Sequence, residues 1–145
     1  MHGFSRLFIV ASLITGLGAC AEAQDAHPIS TDLFSGTWQN DRGSHVSFKD
    51  SGGLLSGHYQ TNVGEPDKSQ KFPLTGFAQG DQITFTVNFE GYGSMTSWTG
   101  QLSRDSSGPV IQTLWHLTRD VEDADEEDDL WKSITSGASQ FRPVM

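Results

Sequence analysis

The run from residue 83 to residue 89 constrains the fold more than any other part of the chain. Four apolar residues alternate there with three polar ones, in the order Ile83, Thr84, Phe85, Thr86, Val87, Asn88 and Phe89. Alternation with a period of two, rich in β-branched and aromatic residues, predicts a strand with one buried face. It argues against an amphipathic helix, whose apolar residues recur about every 3.6 positions.

Seven further short runs of this kind are separated by turn residues. They cover residues 37–40, 44–49, 54–61, 71–79, 95–103, 110–118 and 134–144. Eight strands at intervals of about ten residues, with no helical pattern between them, predict antiparallel hairpins. The predicted fold is therefore all-β, an eight-stranded antiparallel up-and-down barrel, which is a size that can hold one small ligand.

Polar residues near two of the first strands suggest where a ligand would bind. Side chains two apart on a strand share a face, so Tyr59 and Thr61 point the same way. Asn40 and Ser44 flank the first turn and carry hydrogen-bonding groups. We hypothesise that these four residues face one pocket and bind the polar end of a small ligand.

Length, net charge and cysteine content limit the number of domains, the partners and the kinds of site that the chain can have. A chain of 145 residues suggests one domain. Its formal net charge of −9 argues against nucleic acid and anionic membrane surfaces as partners. The single cysteine, Cys20, excludes an intrachain disulfide and a cysteine-based zinc site.

No motif predicts an enzyme or a metalloprotein. The sequence contains no P-loop, zinc motif or nucleophile elbow. Eight of the 18 acidic residues lie in the segment 120–129, which we expect to be a solvated, mobile loop. That segment lacks the spacing of an EF-hand calcium loop. His45, His58 and His116 fall on three different strands, so we expect no metal site and no cofactor.

The first 23 residues are predicted to be a signal peptide. Arg6 precedes an apolar run over residues 7–17, which is too short to span a bilayer. Residues 17–20 resemble a lipobox, in which Cys20 would be lipidated, whereas 19–21 and 21–23 fit ordinary A-x-A cleavage. Both alternatives predict export, as a secreted or periplasmic protein or as an outer-membrane lipoprotein. A polar linker over 24–35 and the barrel over 36–145 would follow.

Seven short motifs, in order, resemble the avidin–streptavidin family of biotin-binding proteins. They are Gly36-Thr37-Trp38-x-Asn40, Gly43-Ser44, Leu55-Ser56-Gly57-x-Tyr59, Leu74-Thr75-Gly76, Thr96-x-Trp98-Thr99-Gly100-Gln101, Thr113-x-Trp115-x-Leu117-Thr118 and Trp131-Lys132-Ser133. The resemblance implies non-catalytic, high-affinity binding of biotin in the barrel mouth, sequestering free biotin outside the cytoplasm.

The resemblance also implies which residues would contact the urea group of biotin. Asn40, Ser44 and Tyr59 would donate to its carbonyl oxygen, and Thr61 would accept from one N–H. The second acceptor in the family is a carboxylate or amide, but the matching position here is Ser139. Because charge-assisted hydrogen bonds are roughly twice as strong as neutral ones, we expect weaker binding than that of the family's best members.

The apolar part and the tail of biotin would meet a second set of matched positions. By the resemblance, Trp98 and Trp115 form aromatic walls, and Phe89 stands where the family has a third tryptophan. Thr96 would meet the sulfur. Ser94 and the Val63–Glu65 part of the loop after the third strand, through the backbone N–H of Glu65, would hold the carboxylate.

Trp131 matches a tryptophan that covers a neighbouring subunit's pocket in tetrameric members of the family. The resemblance therefore implies a homo-oligomer, a dimer or a tetramer, and the outward-facing Leu114 is a second indication of an interface. The alternative hypothesis from another class is a periplasmic or lipoprotein protease inhibitor on a similar small barrel, acting through its N-terminal arm.

Overall fold

The computed structural model describes residues 32–145, which form eight strands and two short helical turns. The strands are β1 (Gly36–Asn40), β2 (His45–Ser51), β3 (Leu54–Gln60), β4 (Phe72–Gln79), β5 (Gln82–Phe89), β6 (Ser94–Asp105), β7 (Gly108–Arg119) and β8 (Ile134–Pro143). Each strand pairs antiparallel with the next in sequence, and β8 returns to β1 to close the barrel. The predicted all-β up-and-down barrel is confirmed.

The barrel closes through the pairing of β1 with β8, in which Asn40 lies opposite Phe141. The last strand therefore brings its inward-facing residues next to the end of the first. Closing the sheet removes the exposed edges that an open eight-stranded sheet would present.

Alternation along β5 places Ile83, Phe85, Val87 and Phe89 inside the barrel, where all four are buried. Phe85 stacks on Trp98 of the neighbouring strand, with ring centroids 4.9 Å apart and planes 9° from parallel. Aromatic pairs of this kind add to the stability that burial itself provides. Aromatic rings thus make up a large part of the core inside the barrel.

The strands β6 and β7 are longer than the sequence predicted. Pairing continues to Arg104 opposite Pro109 and Asp105 opposite Gly108, so only two residues remain in the turn predicted over 104–108. At the other end, β7 continues to Arg119, which pairs with Ser94. This extension places Arg119 on the barrel wall.

The packing of the barrel begins before the predicted boundary at residue 36. Phe34, within the predicted linker, is 1% exposed and belongs to the core cluster. Its carbonyl oxygen accepts a hydrogen bond of 2.8 Å from the indole N–H of Trp38. The rest of the linker before residue 32, the signal peptide over 1–23 and Cys20 lie outside the described residues.

The acidic segment differs from the predicted loop. Residues Glu126–Asp129 form one turn of α-helix, α1, and Leu130–Ser133 form a 3₁₀ turn. The acidic side chains of Glu126 and Glu127 lie in the first turn, where the helix dipole favours negative charge. A single turn carries too few residues for a periodic pattern, which explains why it was missed.

Neither helical turn in the described part of the chain is long and apolar enough to cross a membrane.

Candidate functional site

A cavity of about 410 Å³ opens at one end of the barrel, and we call it the barrel-mouth cavity. All twelve own-chain residues that the sequence analysis selected line it: Asn40, Ser44, Tyr59, Thr61, Val63, Glu65, Phe89, Ser94, Thr96, Trp98, Trp115 and Ser139. The structure therefore brings these residues together. Their roles as contacts of biotin stay predictions.

A larger concavity of about 790 Å³ lies along the outside of β4 to β8. Outward-facing side chains such as Phe77 and Leu114 line it, and both are well exposed. We place the candidate site in the barrel-mouth cavity instead, because buried polar groups and aromatic walls converge there.

The buried end of the barrel-mouth cavity is polar, and its geometry depends on Asn40. The side-chain oxygen of Asn40 accepts the backbone N–H of Ser44 at 2.8 Å and that of Arg42 at 3.0 Å. These bonds fix the amide so that its nitrogen donates to the hydroxyl oxygen of Tyr59, 3.3 Å away. The second amide proton of Asn40 has no acceptor among the described residues.

Ser44 and Tyr59 also keep a proton available for a ligand. The hydroxyl oxygen of Ser44 accepts the backbone N–H of Asn62 at 2.9 Å, so its own O–H is left to donate. The hydroxyl oxygen of Tyr59 accepts from Asn40, so the phenol proton is also left to donate to a ligand. Three donors from three chain segments therefore meet at the buried end of the cavity.

The phenol of Tyr59 stays protonated in this setting. Burial raises the pKa of Tyr59 above its ordinary value of 10.0. The hydroxyl of Ser44 and the amide of Asn40, which can donate to an ionised phenolate, and the positive charge of Arg42 lower the pKa of Tyr59 but are smaller effects. A neutral phenol at physiological pH can donate a hydrogen bond, as the site requires.

Thr61 and Ser139 carry the two hydroxyl oxygens suited to accept. Thr61 donates its proton to the carbonyl of Val63 at 2.8 Å and accepts the backbone N–H of Val63 at 3.1 Å, so one lone pair of its oxygen is left to accept from a ligand. Ser139 is 4% exposed, and its carbonyl oxygen accepts the hydroxyl of Thr113 at 2.9 Å, which holds this part of β8 in place. The Ser139 hydroxyl itself has no partner within residues 32–145.

The walls of the cavity are aromatic. Trp98 lies 5.1 Å from Tyr59 and is buried, and its indole N–H has no acceptor in the described part of the chain. Phe89 meets Tyr59 edge-on at 6.0 Å. Together with the stacked Phe85, these rings hold one another in fixed orientations.

Trp115 also lines the cavity, and its position depends on Gly137 of β8. A Cβ atom at position 137 would lie 2.4 Å from Cζ2 of the Trp115 ring, so any larger residue would push the ring away. The guanidinium of Arg42 lies 5.7 Å from the Trp115 ring centroid, within the range of a cation–π interaction. Trp115 thus packs closely on Gly137 and also lies near a cation.

Two loops form the rim of the barrel-mouth cavity. The loop after β3 contributes Val63 and Glu65, which are exposed, and the loop after β5 leads to Ser94. The hydroxyl of Tyr92 donates to the side-chain oxygen of Gln70 at 2.9 Å and joins the two loops. Thr96 lies deeper and is 4% exposed.

Six residues that line the cavity were assigned no ligand contact of their own from the sequence: Arg42, Gly64, Pro66, Tyr92, Leu117 and Arg119. Alternation from Trp115 would have found Leu117 and Arg119, because all three lie on one face of β7. Arg42 lies in a turn, where no period indicates a direction. Gly64, Pro66 and Tyr92 lie in loops, where a periodic pattern is likewise absent and could not identify them.

Trp131 does not line the barrel-mouth cavity of its own chain. It lies in the 3₁₀ turn before β8 and is 84% exposed. Within residues 32–145, no cluster of three or more His, Cys, Asp or Glu side chains is arranged to hold a metal ion.

A closed eight-stranded barrel with a mouth lined by donors and aromatic rings defines a class, the small-molecule-binding β-barrels. The comparison with known families is more specific, since the avidin family model matches residues 29–144. The chain belongs to the avidin family, a family of non-catalytic biotin-binding proteins.

Individual relatives agree with this assignment. Afifavidin from Afifella pfennigii is 31% identical over 129 residues, covering 81% of each chain. Avidin from Gallus gallus is 30% identical, covering 97% of this chain and 94% of avidin. The crystal structure of a rhizavidin–biotin complex superposes with a TM-score of 0.65 at 27% identity, covering 79% of this chain and 98% of rhizavidin.

Proposed function

We propose that this protein binds free biotin, without catalysis, in the barrel-mouth cavity. The observation that carries the proposal is the convergence of Asn40, Ser44 and Tyr59, each with a proton left to donate. Membership of the avidin family supports the choice of biotin over other small ligands.

The cyclic urea of biotin matches this polar end. Its carbonyl oxygen is strongly polarised, and three preordered donors stabilise the partial negative charge on that oxygen. Its two N–H groups need acceptors, and Thr61 and Ser139 offer two hydroxyl oxygens within the same cavity. The polar groups therefore fix both the orientation and the identity of the ligand.

The bicyclic ring and the aliphatic tail fit the aromatic part of the cavity. Trp98, Phe89 and Trp115 present ring faces and edges along the path from the polar end to the rim. Burial of apolar surface against such walls contributes roughly 1.5–3 kcal/mol per large side-chain equivalent. Because Ser139 is a neutral acceptor, the affinity is lower than a carboxylate at that position would give.

We propose the biological setting from the predicted signal peptide and from Trp131. The signal peptide over 1–23 would deliver the protein to the periplasm or the cell exterior, where it would sequester free biotin, with Cys20 as the lipid anchor if the lipobox is used. The exposure of Trp131 is compatible with a role at the cavity of a neighbouring subunit in a dimer or tetramer.

Thermal melting in the presence of biotin tests the proposal. A ligand that binds only the folded state stabilises it by about 2.7 kcal/mol at roughly 100 times its Kd. The melting temperature is therefore expected to rise with biotin concentration. Valerate, which carries the tail without the rings, serves as the matched control and is expected to give no shift. No shift at millimolar biotin would contradict the proposal and leave the protease-inhibitor hypothesis.

A further inference from the structure

Arg119 ends strand β7 at the rim of the barrel-mouth cavity. It lies four residues after Trp115 and two after Leu117, on the same face of the strand, and all three line the cavity. At about 3.3 Å per residue, Arg119 is about 13 Å from Trp115 along the strand. It is thus placed where a bound ligand would leave the cavity.

The neighbours of Arg119 are residues predicted to meet the tail of biotin. Arg119 pairs directly with Ser94 across β6 and β7. The next residue, Asp120, donates its backbone N–H to the carbonyl of Gly93 at 2.7 Å, which holds this end of β7 against the loop after β5. The backbone that carries the Arg119 side chain is therefore held in place at the rim.

The charge on the cavity wall differs in sign from that of the whole protein. The formal net charge of the chain is −9, yet the charged residues that line the cavity are Arg42, Arg119 and Glu65. The side chains of both arginines form no ion pair with a residue in the range 32–145. The guanidinium of Arg42 lies over the Trp115 ring, whereas Arg119 is the cation that lies beside Ser94.

We propose that Arg119 binds the carboxylate of the ligand's tail, so that the cavity favours free biotin over biotin whose carboxyl group has been converted to a neutral amide. This inference rests on the proposed function. A guanidinium can bind a carboxylate through two parallel hydrogen bonds, which an uncharged amide cannot reproduce. Arg119 is thus a specificity-determining residue that separates the free vitamin from its conjugates.

Titration calorimetry with biotin and with biotin amide tests this inference. At low ionic strength we expect biotin to bind the wild type about fivefold more tightly than the amide. This factor in Kd corresponds to the largest contribution that exposed ion pairs typically make. High salt is expected to remove most of the difference, because it screens exposed charges. Arg119→Gln is expected to lose most of this preference, because only neutral donors remain near the carboxylate, and Arg119→Lys is expected to retain part of it.

Arg104→Gln is the matched control. Arg104 is exposed and lies about 33 Å from Ser94 along β6, and its replacement removes the same single charge. It is expected to keep the wild-type preference. Equal binding of the two ligands by the wild type, an unchanged preference in Arg119→Gln, or an equal loss in Arg104→Gln would each overturn the inference. Failure of the wild type to bind either ligand would contradict the proposed function itself.

Discussion

The side-chain amide of Asn40 donates to the hydroxyl oxygen of Tyr59 across 3.3 Å and joins β1 to β3 at the buried end of the cavity. This contact orients two donors with one hydrogen bond. Because Tyr59 accepts from Asn40, its own proton is directed elsewhere. The contact thus accounts for how a barrel built from short strands presents a rigid polar group to a ligand.

The first prediction concerns the phenol proton of Tyr59. Tyr59→Phe is expected to weaken biotin binding by about 1–2 kcal/mol, because one hydrogen-bond donor is lost. The ring keeps its contacts with Trp98 and Phe89, so the fold is expected to persist. Calorimetry measures the change. Ser97→Ala removes an exposed hydroxyl from the outer face of β6 and is the control. Equal affinities in Tyr59→Phe and the wild type would rule out a donor role.

The second prediction concerns the neutral acceptor on β8. Ser139→Asp is expected to strengthen biotin binding, because a carboxylate accepts the urea N–H more strongly than a hydroxyl does. Ser136→Asp adds the same charge to the exposed face of the same strand and is expected to leave the affinity unchanged. Dissociation rates measured with labelled biotin report the difference. A faster dissociation from Ser139→Asp would show that Ser139 has been assigned the wrong role.

The third prediction concerns the support of Trp115. Gly137→Ala places a methyl group where the indole ring now lies, so the ring must move. Overpacking of this kind costs about 1–3 kcal/mol of folding stability, and we expect biotin affinity to fall with it. Ser136→Ala, one residue away on the outer face, is the control. Denaturation and calorimetry measure the two effects, and a Gly137→Ala variant that matches wild type in both would exclude close packing of Trp115.

The fourth prediction concerns alkaline pH. The pKa of Tyr59 is raised by burial, so the unfolded chain loses this proton at a lower pH than the folded protein. The associated stability is fully present below pH 10.0, the ordinary pKa of the phenol, and is lost as the pH rises through the folded value. Denaturant titrations of the wild type and Tyr59→Phe on either side of that pH measure it. The wild type is expected to lose more stability than the variant, and parallel curves would contradict the prediction.

The architecture was predictable because its signal is periodic. The alternation over 83–89 requires one buried face, and the turns between the runs permit antiparallel pairing alone. The helical turn at Glu126–Asp129 is too short to produce a period of its own. Phe34 was missed because its burial comes from packing in a core cluster whose members lie far apart in the sequence, which no local pattern reveals.

The candidate site was predictable where its residues lie on strands. Tyr59, Trp98 and Trp115 follow from motif order, and the structure gathers them around one cavity. Arg119 lay one residue beyond the predicted end of β7, so its face was not considered. Arg42 lies in a turn, and its position over Trp115 depends on the path of the backbone there.

Titration calorimetry of the purified protein with biotin tests the central claim most directly. If Asn40, Ser44 and Tyr59 bind the urea group as proposed, the titration will show saturable, exothermic binding of one biotin per chain. An Asn40→Ala, Tyr59→Phe double variant, which removes two of the three donors, will bind much more weakly. The absence of heat with the wild type at millimolar biotin, or an unchanged affinity in the double variant, would contradict the claim that this barrel mouth is a biotin site.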